Sequence, residues 1–199
     1  MATALKLGSF QVSVTAISQY GMSKRTTRRC KKTDVLYFDP AKRIRLLLLK
    51  PTWLAPLKWN QGGYDAVFVS RDRGLVRFVQ LTRADKHGYD AEPFASALVQ
   101  LAAAKILDKF ESVELCYVVP KAKLATFRLP VKSKALQEGV VNSASSPGRW
   151  TRQNPDPVFA GCSGEVFLCG VDYEMSDIDH ADEEQVSRKR MRLETWPAN

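Results

Sequence analysis

The stretch Tyr64–Pro120, YDAVFVSRDRGLVRFVQLTRADKHGYDAEPFASALVQLAAAKILDKFESVELCYVVP, decides the fold. Two apolar segments, Tyr64–Val69 and Leu75–Thr82, flank the polar turn Ser70-Arg71-Asp72-Arg73-Gly74. Gly74 leaves that turn, where a positive φ costs a glycine no Cβ clash, so a β-hairpin over 64–82 is expected. If Ser70 faces Leu75 across a four-residue loop, the antiparallel register sets Asp65 directly opposite Gln80. Opposed residues point to one face, and the period of two brings Thr82 to it as well. An acid, an amide and a hydroxyl are therefore expected together at one end of the hairpin, among apolar positions.

Beyond the hairpin the hydrophobic period changes. Residues 92–110 hold no glycine and no proline after Pro93, and are rich in Ala and Leu. Pro93 suits a first helical turn and Glu92 the positive end of the helix dipole. Phe94, Leu98, Val99, Leu101, Ile106, Leu107 and Phe110 cover more than half the circumference of a helix, which predicts a long helix over about 92–110 buried against a sheet. The apolar run 113–119, closed by Pro120, reads as a buried strand. Strand, strand, helix, strand is an α/β core with a mixed sheet.

At 199 residues the chain suits a single core that is stable without staples. Four cysteines (Cys30, Cys116, Cys162, Cys169) form no CxxC pair and are joined by only two histidines, so a structural zinc site is not expected. Cys116 falls in the core strand 113–119, where a thiol acts as a small hydrophobe, and reduced, intracellular chemistry is the expectation. The first 21 residues have no continuous apolar run of signal-peptide type, and no segment reaches membrane-span length.

Positive charge is concentrated at the front. Residues 1–59 carry 12 of the 30 Lys/Arg and 2 of the 21 acids, whereas 60–120 is nearly neutral. The cations are densest at Lys24, Arg25, Arg28, Arg29, Lys31 and Lys32. Such a cluster can bind nucleic-acid phosphates with strong salt dependence, serve as a nuclear-import signal, or form a solvated surface. Three regions are expected: a basic arm with lead-in strands over 1–59, an α/β core over 60–171, and a charged, mobile tail over 172–199. Within the arm, Val35–Phe38 and Ile44–Leu49 are short apolar runs that can pair as a hairpin, or the second can begin the main sheet. Trp53 and Trp59 fall in a stretch broken by Pro51 and Pro56, as the lid of a core or as base-stacking groups. Inside the core region, the Ser-, Pro- and Asn-rich segment 142–157 reads as a loop and 165–171 as a last short strand. A second basic cluster, Arg188-Lys189-Arg190 with Arg192, is also compatible with nuclear import.

An Asp on one strand, Gln-x-Thr on the next, a His five residues on, then a long helix and a strand ending Val-Val-Pro resembles a known family. It is similar to the divergent restriction-endonuclease-like domain of the PD-(D/E)XK superfamily found in Crinkler-type effectors and retrotransposon-hotspot proteins. Asp65, Gln80 with Thr82 (in place of Glu-x-Lys) and His87 carry the likeness, over about 60 residues. The resemblance implies a restriction-endonuclease-like core acting as a nuclease on DNA, with RNA as the other substrate. It implies Mg²⁺ or Mn²⁺ held by Asp65 and Gln80 and a host-protein partner for an effector, while the basic clusters point to a location in the nucleus. Such an ion takes oxygen ligands and activates the attacking water. Gln80 offers only a neutral oxygen, however, and Thr82 lacks the charge of the superfamily's lysine. Each residue has a plainer reading too. Asp65 can cap the strand, Gln80 and Thr82 can be a satisfied polar pair, and His87 can be a loop residue rather than a general acid/base or phosphate contact. A nuclease fold without turnover, serving as a nucleic-acid or protein-binding module, stays open beside the enzyme, as does an unrelated α/β interaction domain.

Overall fold

The computed structural model describes residues 10–18, 21–30, 33–42, 44, 46, 48–57, 63–85, 88–145 and 156–171, and for 10–30 the backbone alone. Lys31, Lys32, Trp59, Lys86, His87, most of the expected loop 142–157 and the tail 172–199 lie outside the described residues.

The hairpin of the central stretch is present as β5 (Ala66–Ser70) and β6 (Leu75–Leu81). Arg71–Arg73 forms a single 3₁₀ turn between them, and Gly74 closes it at φ 56°, ψ 28°. The expected register holds from Ser70↔Leu75 to Ala66↔Val79. Glycine is required at position 74 twice over. A Cβ there would sit 2.6 Å from Glu111 Cγ and 2.8 Å from the Lys109 carbonyl oxygen, in addition to the left-handed backbone.

The helix is shorter than its sequence pattern. α1 spans Glu92–Ala103 and stops seven residues before Phe110. Lys105 takes the left-handed conformation (φ 54°). The Ile106 amide donates to the Leu101 carbonyl at 3.2 Å, and the Lys105 amide to Ala102 at 2.9 Å. This is a Schellman-type ending, with Leu101 and Ile106 both buried as its hydrophobic contact. Glycine usually marks such a stop, and here lysine occupies the position. The expected helix over about 92–110 is corrected accordingly, although Ile106, Leu107 and Phe110 remain buried as core residues of the connection.

After α1 the chain enters β7 (Ser112–Pro120) and ends its described course in β8 (Ser163–Val171). Before the hairpin come β1 (Phe10–Ser18), β2 (Gly21–Cys30), β3 (Asp34–Phe38) and β4 (Thr52–Pro56). All eight strands form one mixed sheet in the order β2-β1-β8-β7-β6-β5-β4-β3. β6, β7 and β8 are parallel neighbours, as are β3 and β4, while the β4–β5, β5–β6, β8–β1 and β1–β2 pairs are antiparallel. Of the two arrangements open for 35–38 and 44–49, neither is the pairing found: β3 pairs with β4, which runs from Thr52 through Trp53 into Pro56. Proline is compatible with this strand because Pro56 ends it, where no further ladder donor is required.

The helical segments that follow the hairpin pack on one face of the sheet. α1 buries Phe94, Ala97, Leu98 and Leu101 there. A second helical segment follows β7, with α-helical turns at Ser133–Leu136 and Asn142–Ser145 around a π-helical turn at Gln137–Val141. Its Leu136, Val140 and Val141 join the same core as Val67, Val69, Val76, Phe78, Val113, Leu115, Tyr117, Val166 and Leu168. Every second residue of β5 to β8 thus faces the helices, as the period of two demands. Two glycines inside β8 allow this layer to come close. A Cβ on Gly164 would lie 3.0 Å from the Gln137 backbone nitrogen, and one on Gly170 would collide with Leu124 Cδ1. Rings bind hairpin to helix. Tyr64 and Phe94 each lie within 5.2 Å of Phe78, and Tyr89 stacks on Phe94 at 5.9 Å.

Candidate functional site

β5 runs opposite to β6, so the start of β5 lies beside the end of β6, and β7 continues alongside it. The Asp65, Gln80 and Thr82 of the sequence pattern are therefore brought to one end of the sheet, at the carboxyl ends of parallel β6 and β7. Open α/β sheets commonly place ligands at that end of their strands.

The three side chains have distinct surroundings. The Asp65 amide donates to the Val79 carbonyl at 2.8 Å, so the regular ladder stops at Ala66↔Val79 and the chain shifts by one step. The Asp65 carboxylate is exposed, and its Oδ2 accepts from the Leu81 amide at 2.7 Å. It takes the place of a backbone carbonyl and caps the end of β6. Gln80 is only 6 % exposed and stands beside Tyr117 of β7 in the parallel register. It continues the core-facing series Val76, Phe78, Gln80. Thr82 is half-buried, its amide donates to the Val118 carbonyl at 3.0 Å, and its Oγ1 accepts from the Ala84 amide at 3.1 Å. The hydroxyl holds the turn that follows β6.

Sequence reasoning missed the other groups here. Lys123, in the 3₁₀ turn after β7 (Lys121–Lys123), reaches back to the loop after β6. Its Nζ donates to Asp85 Oδ1 at 2.8 Å and to the Arg83 carbonyl, tying the two strand ends together. Tyr117 is the register partner of Gln80 and Tyr89 stacks on Phe94, and burial pushes the phenol of Tyr89 up to about 12 and that of Tyr117 higher still. The Tyr89 hydroxyl oxygen lies 3.9 Å from where a Cβ on Gly139 would sit, so the π-helical turn packs directly over it. Apolar patterning reads both tyrosines as core, and nothing in the linear sequence marks Lys123 as a partner of Asp85 and Arg83.

The implied metal can be tested against these donors. Mg²⁺ asks for octahedral oxygen ligation with one or two carboxylates. Among the described residues no group of three or more His, Cys, Asp and Glu side chains could hold an ion. Asp65 is the single carboxylate of the expected pair, one of its oxygens is engaged by Leu81, and Gln80 is buried in the core layer.

The basic segment is placed at the far end of the sheet. Lys24, Arg25, Arg28 and Arg29 all lie in β2, which pairs with β1 on one side and forms the sheet's edge on the other.

The opposite face of the sheet carries a second constellation. Arg77 of β6 bonds Glu114 of β7 through Nε to Oε2 at 2.5 Å, between register partners. The guanidinium groups of Arg73 and Arg77 lie 5.7 Å and 5.9 Å from the centroid of Phe68, whose ring also meets Trp53 at 5.1 Å. Trp53 is thus half-buried in a strand of this face.

Compared with known proteins, the chain matches no family model, no curated protein and no solved structure. Among the described residues no helix is long and apolar enough to cross a membrane.

Proposed function

We propose that this chain is a nucleic-acid-binding module with a restriction-endonuclease-like core, and that its affinity resides in the basic strand β2. The observation that carries the reading is the concentration of Lys24, Arg25, Arg28 and Arg29 along one edge strand of a sheet whose central stretch 60–120 is nearly neutral. Four cations on an extended strand can follow a phosphate backbone, and an edge strand is open to approach along its length. Cations on an edge also discourage pairing with a second sheet, which is the competing use of the same residues. The engagement of Asp65 and Thr82 in backbone hydrogen bonds supports binding over turnover.

Metal-dependent cleavage of DNA phosphodiesters is the second reading, favoured by the exposure of Asp65 beside Gln80 at the carboxyl end of β6. A nuclear location and a host-protein partner belong to either reading. The two readings separate in one experiment. Fluorescence anisotropy with labelled duplex DNA, single-stranded DNA and RNA measures binding, and incubation of plasmid DNA with Mg²⁺ or Mn²⁺ measures cleavage. Binding without cleavage is expected. Cleavage that disappears in Asp65→Asn would replace the module by the enzyme, and absence of binding at low salt would remove both.

A further inference from the structure

Cys116 of β7 and Cys169 of β8 lie on the face of the sheet away from the helices. The parallel register pairs Cys116 with Phe167 and Val118 with Cys169, which makes the two cysteines diagonal neighbours on adjacent strands. Both are free thiols, and their sulfur atoms are 2.6 Å apart, in direct contact. Both side chains are buried, in a small apolar cluster with Val79, edged by Trp53, Ala66, Val118, Phe167 and Val171. Cys162 belongs to the other cluster, beneath the helices.

We propose that Cys116 and Cys169 are the site of an intramolecular disulfide that staples β7 to β8. The oxidant is a low-molecular-weight disulfide such as oxidised glutathione. The thiolate of one cysteine attacks a glutathione sulfur, forming a mixed disulfide and releasing one glutathione thiolate. The second cysteine's thiolate then attacks the protein sulfur of that mixed disulfide. The Cys116–Cys169 bond forms, the second glutathione leaves, and the protons of the two protein thiols end on the two released glutathiones. The contact with Cys169 and burial hold the Cys116 thiol well above its ordinary value, which keeps the reactive thiolate scarce once the sheet has closed. The exchange therefore runs fastest while the strands assemble or open. The bond closes a loop across 53 residues of sequence separation, a long span of the kind that stabilises by constraining the unfolded chain. It joins β7, which bears Tyr117 and leads into the Lys123 turn, to β8, and is independent of nucleic-acid binding.

The test is to refold the full chain in a glutathione redox buffer, block remaining thiols with an alkylating agent, and map peptides by mass spectrometry without reduction. A cross-linked pair containing Cys116 and Cys169 is expected, with Cys30 and Cys162 alkylated. The melting temperature of the oxidised protein should exceed that of the reduced form by on the order of 5–10 °C. Cys162→Ser should keep the cross-link and Cys116→Ser should lose it. Four alkylated cysteines in the refolded protein, or a cross-link that uses Cys30 or Cys162, would overturn the assignment. The wild-type map alone decides this, whatever the folding of the variants.

Discussion

Replacing Asp65 distinguishes a strand cap from a metal ligand. Its carboxylate accepts the Leu81 amide at 2.7 Å, in the place a backbone carbonyl would fill at the end of β6. A charge-assisted bond is worth about 1.5–3 kcal/mol, and exposure of Asp65 to solvent puts this one at the lower end. Asp65→Ala should therefore cost about 1–2 kcal/mol and lower the melting temperature by roughly 2–6 °C for a domain of this size. Asp65→Asn keeps a carbonyl oxygen for the same amide and should stay within about 0.5 kcal/mol of the wild type. Calorimetry on the three proteins in parallel reads both values. An Asp65→Ala melting temperature equal to wild type would refute the capping role. If Asp65 is only a cap, both variants retain full nucleic-acid affinity. If it holds an ion, Asp65→Asn destroys cleavage while leaving stability untouched.

Gly74→Ala should be among the most damaging single changes, costing about 2–4 kcal/mol, because left-handed strain adds to a Cβ lodged 2.8 Å from the Lys109 carbonyl oxygen. A chemical-denaturation midpoint equal to wild type would contradict the hairpin geometry. Lys105→Gly should stabilise by about 0.5–1 kcal/mol, since glycine adopts the φ of 54° freely, and a loss of stability would mean that the lysine side chain contributes more than its backbone costs. Burial pushes Tyr64 and Tyr89 up to about 12 from 10.0, and Cys162 up to about 11 from 9.0. Each group keeps its proton in the folded chain at a pH where the unfolded chain has lost it. Stability from these groups is thus complete below about pH 9 and declines as pH rises through 11 and 12. A melting temperature that stays level across that window would contradict their burial.

How much of this could be read in the sequence follows from where the signals are local. The β5–β6 turn is self-contained: one glycine in a polar loop between two apolar runs fixes the register, and Ser70↔Leu75 follows. The length of α1 is not local in that sense. Ile106, Leu107 and Phe110 keep the helical spacing of apolar residues because they still fill the core, and the stop lies in Lys105, a residue type that seldom takes that conformation. β4 was hidden by its flanking prolines, which read as breakers although Pro56 closes the strand. The basic segment looks like an arm because it lacks apolar alternation. An edge strand has little to bury, so Lys24–Arg29 can be strand without a hydrophobic signature. At the candidate site, the nearness of Asp65 to the end of β6 was legible from register. The expected pair of Asp65 with Gln80 does not form, because the ladder ends at Ala66↔Val79 and the Asp65 carboxylate takes the Leu81 amide instead. Lys123 and Tyr89 come to the site only through the crossovers that join β6, β7 and β8, a long-range arrangement that no window of sequence contains.

The central claim, that β2 carries nucleic-acid affinity, is tested most directly by the salt dependence of duplex DNA binding. Each phosphate neutralised contributes a slope of about −0.9 in log affinity against log salt concentration, so four β2 cations should give about −3 to −4. Neutralising Arg25, Arg28 and Arg29 together should flatten that slope by about 2–3, with the melting temperature held as a control for folding. A slope unchanged in the triple variant would show that β2 does not meet phosphate, and the proposed function would fall with it.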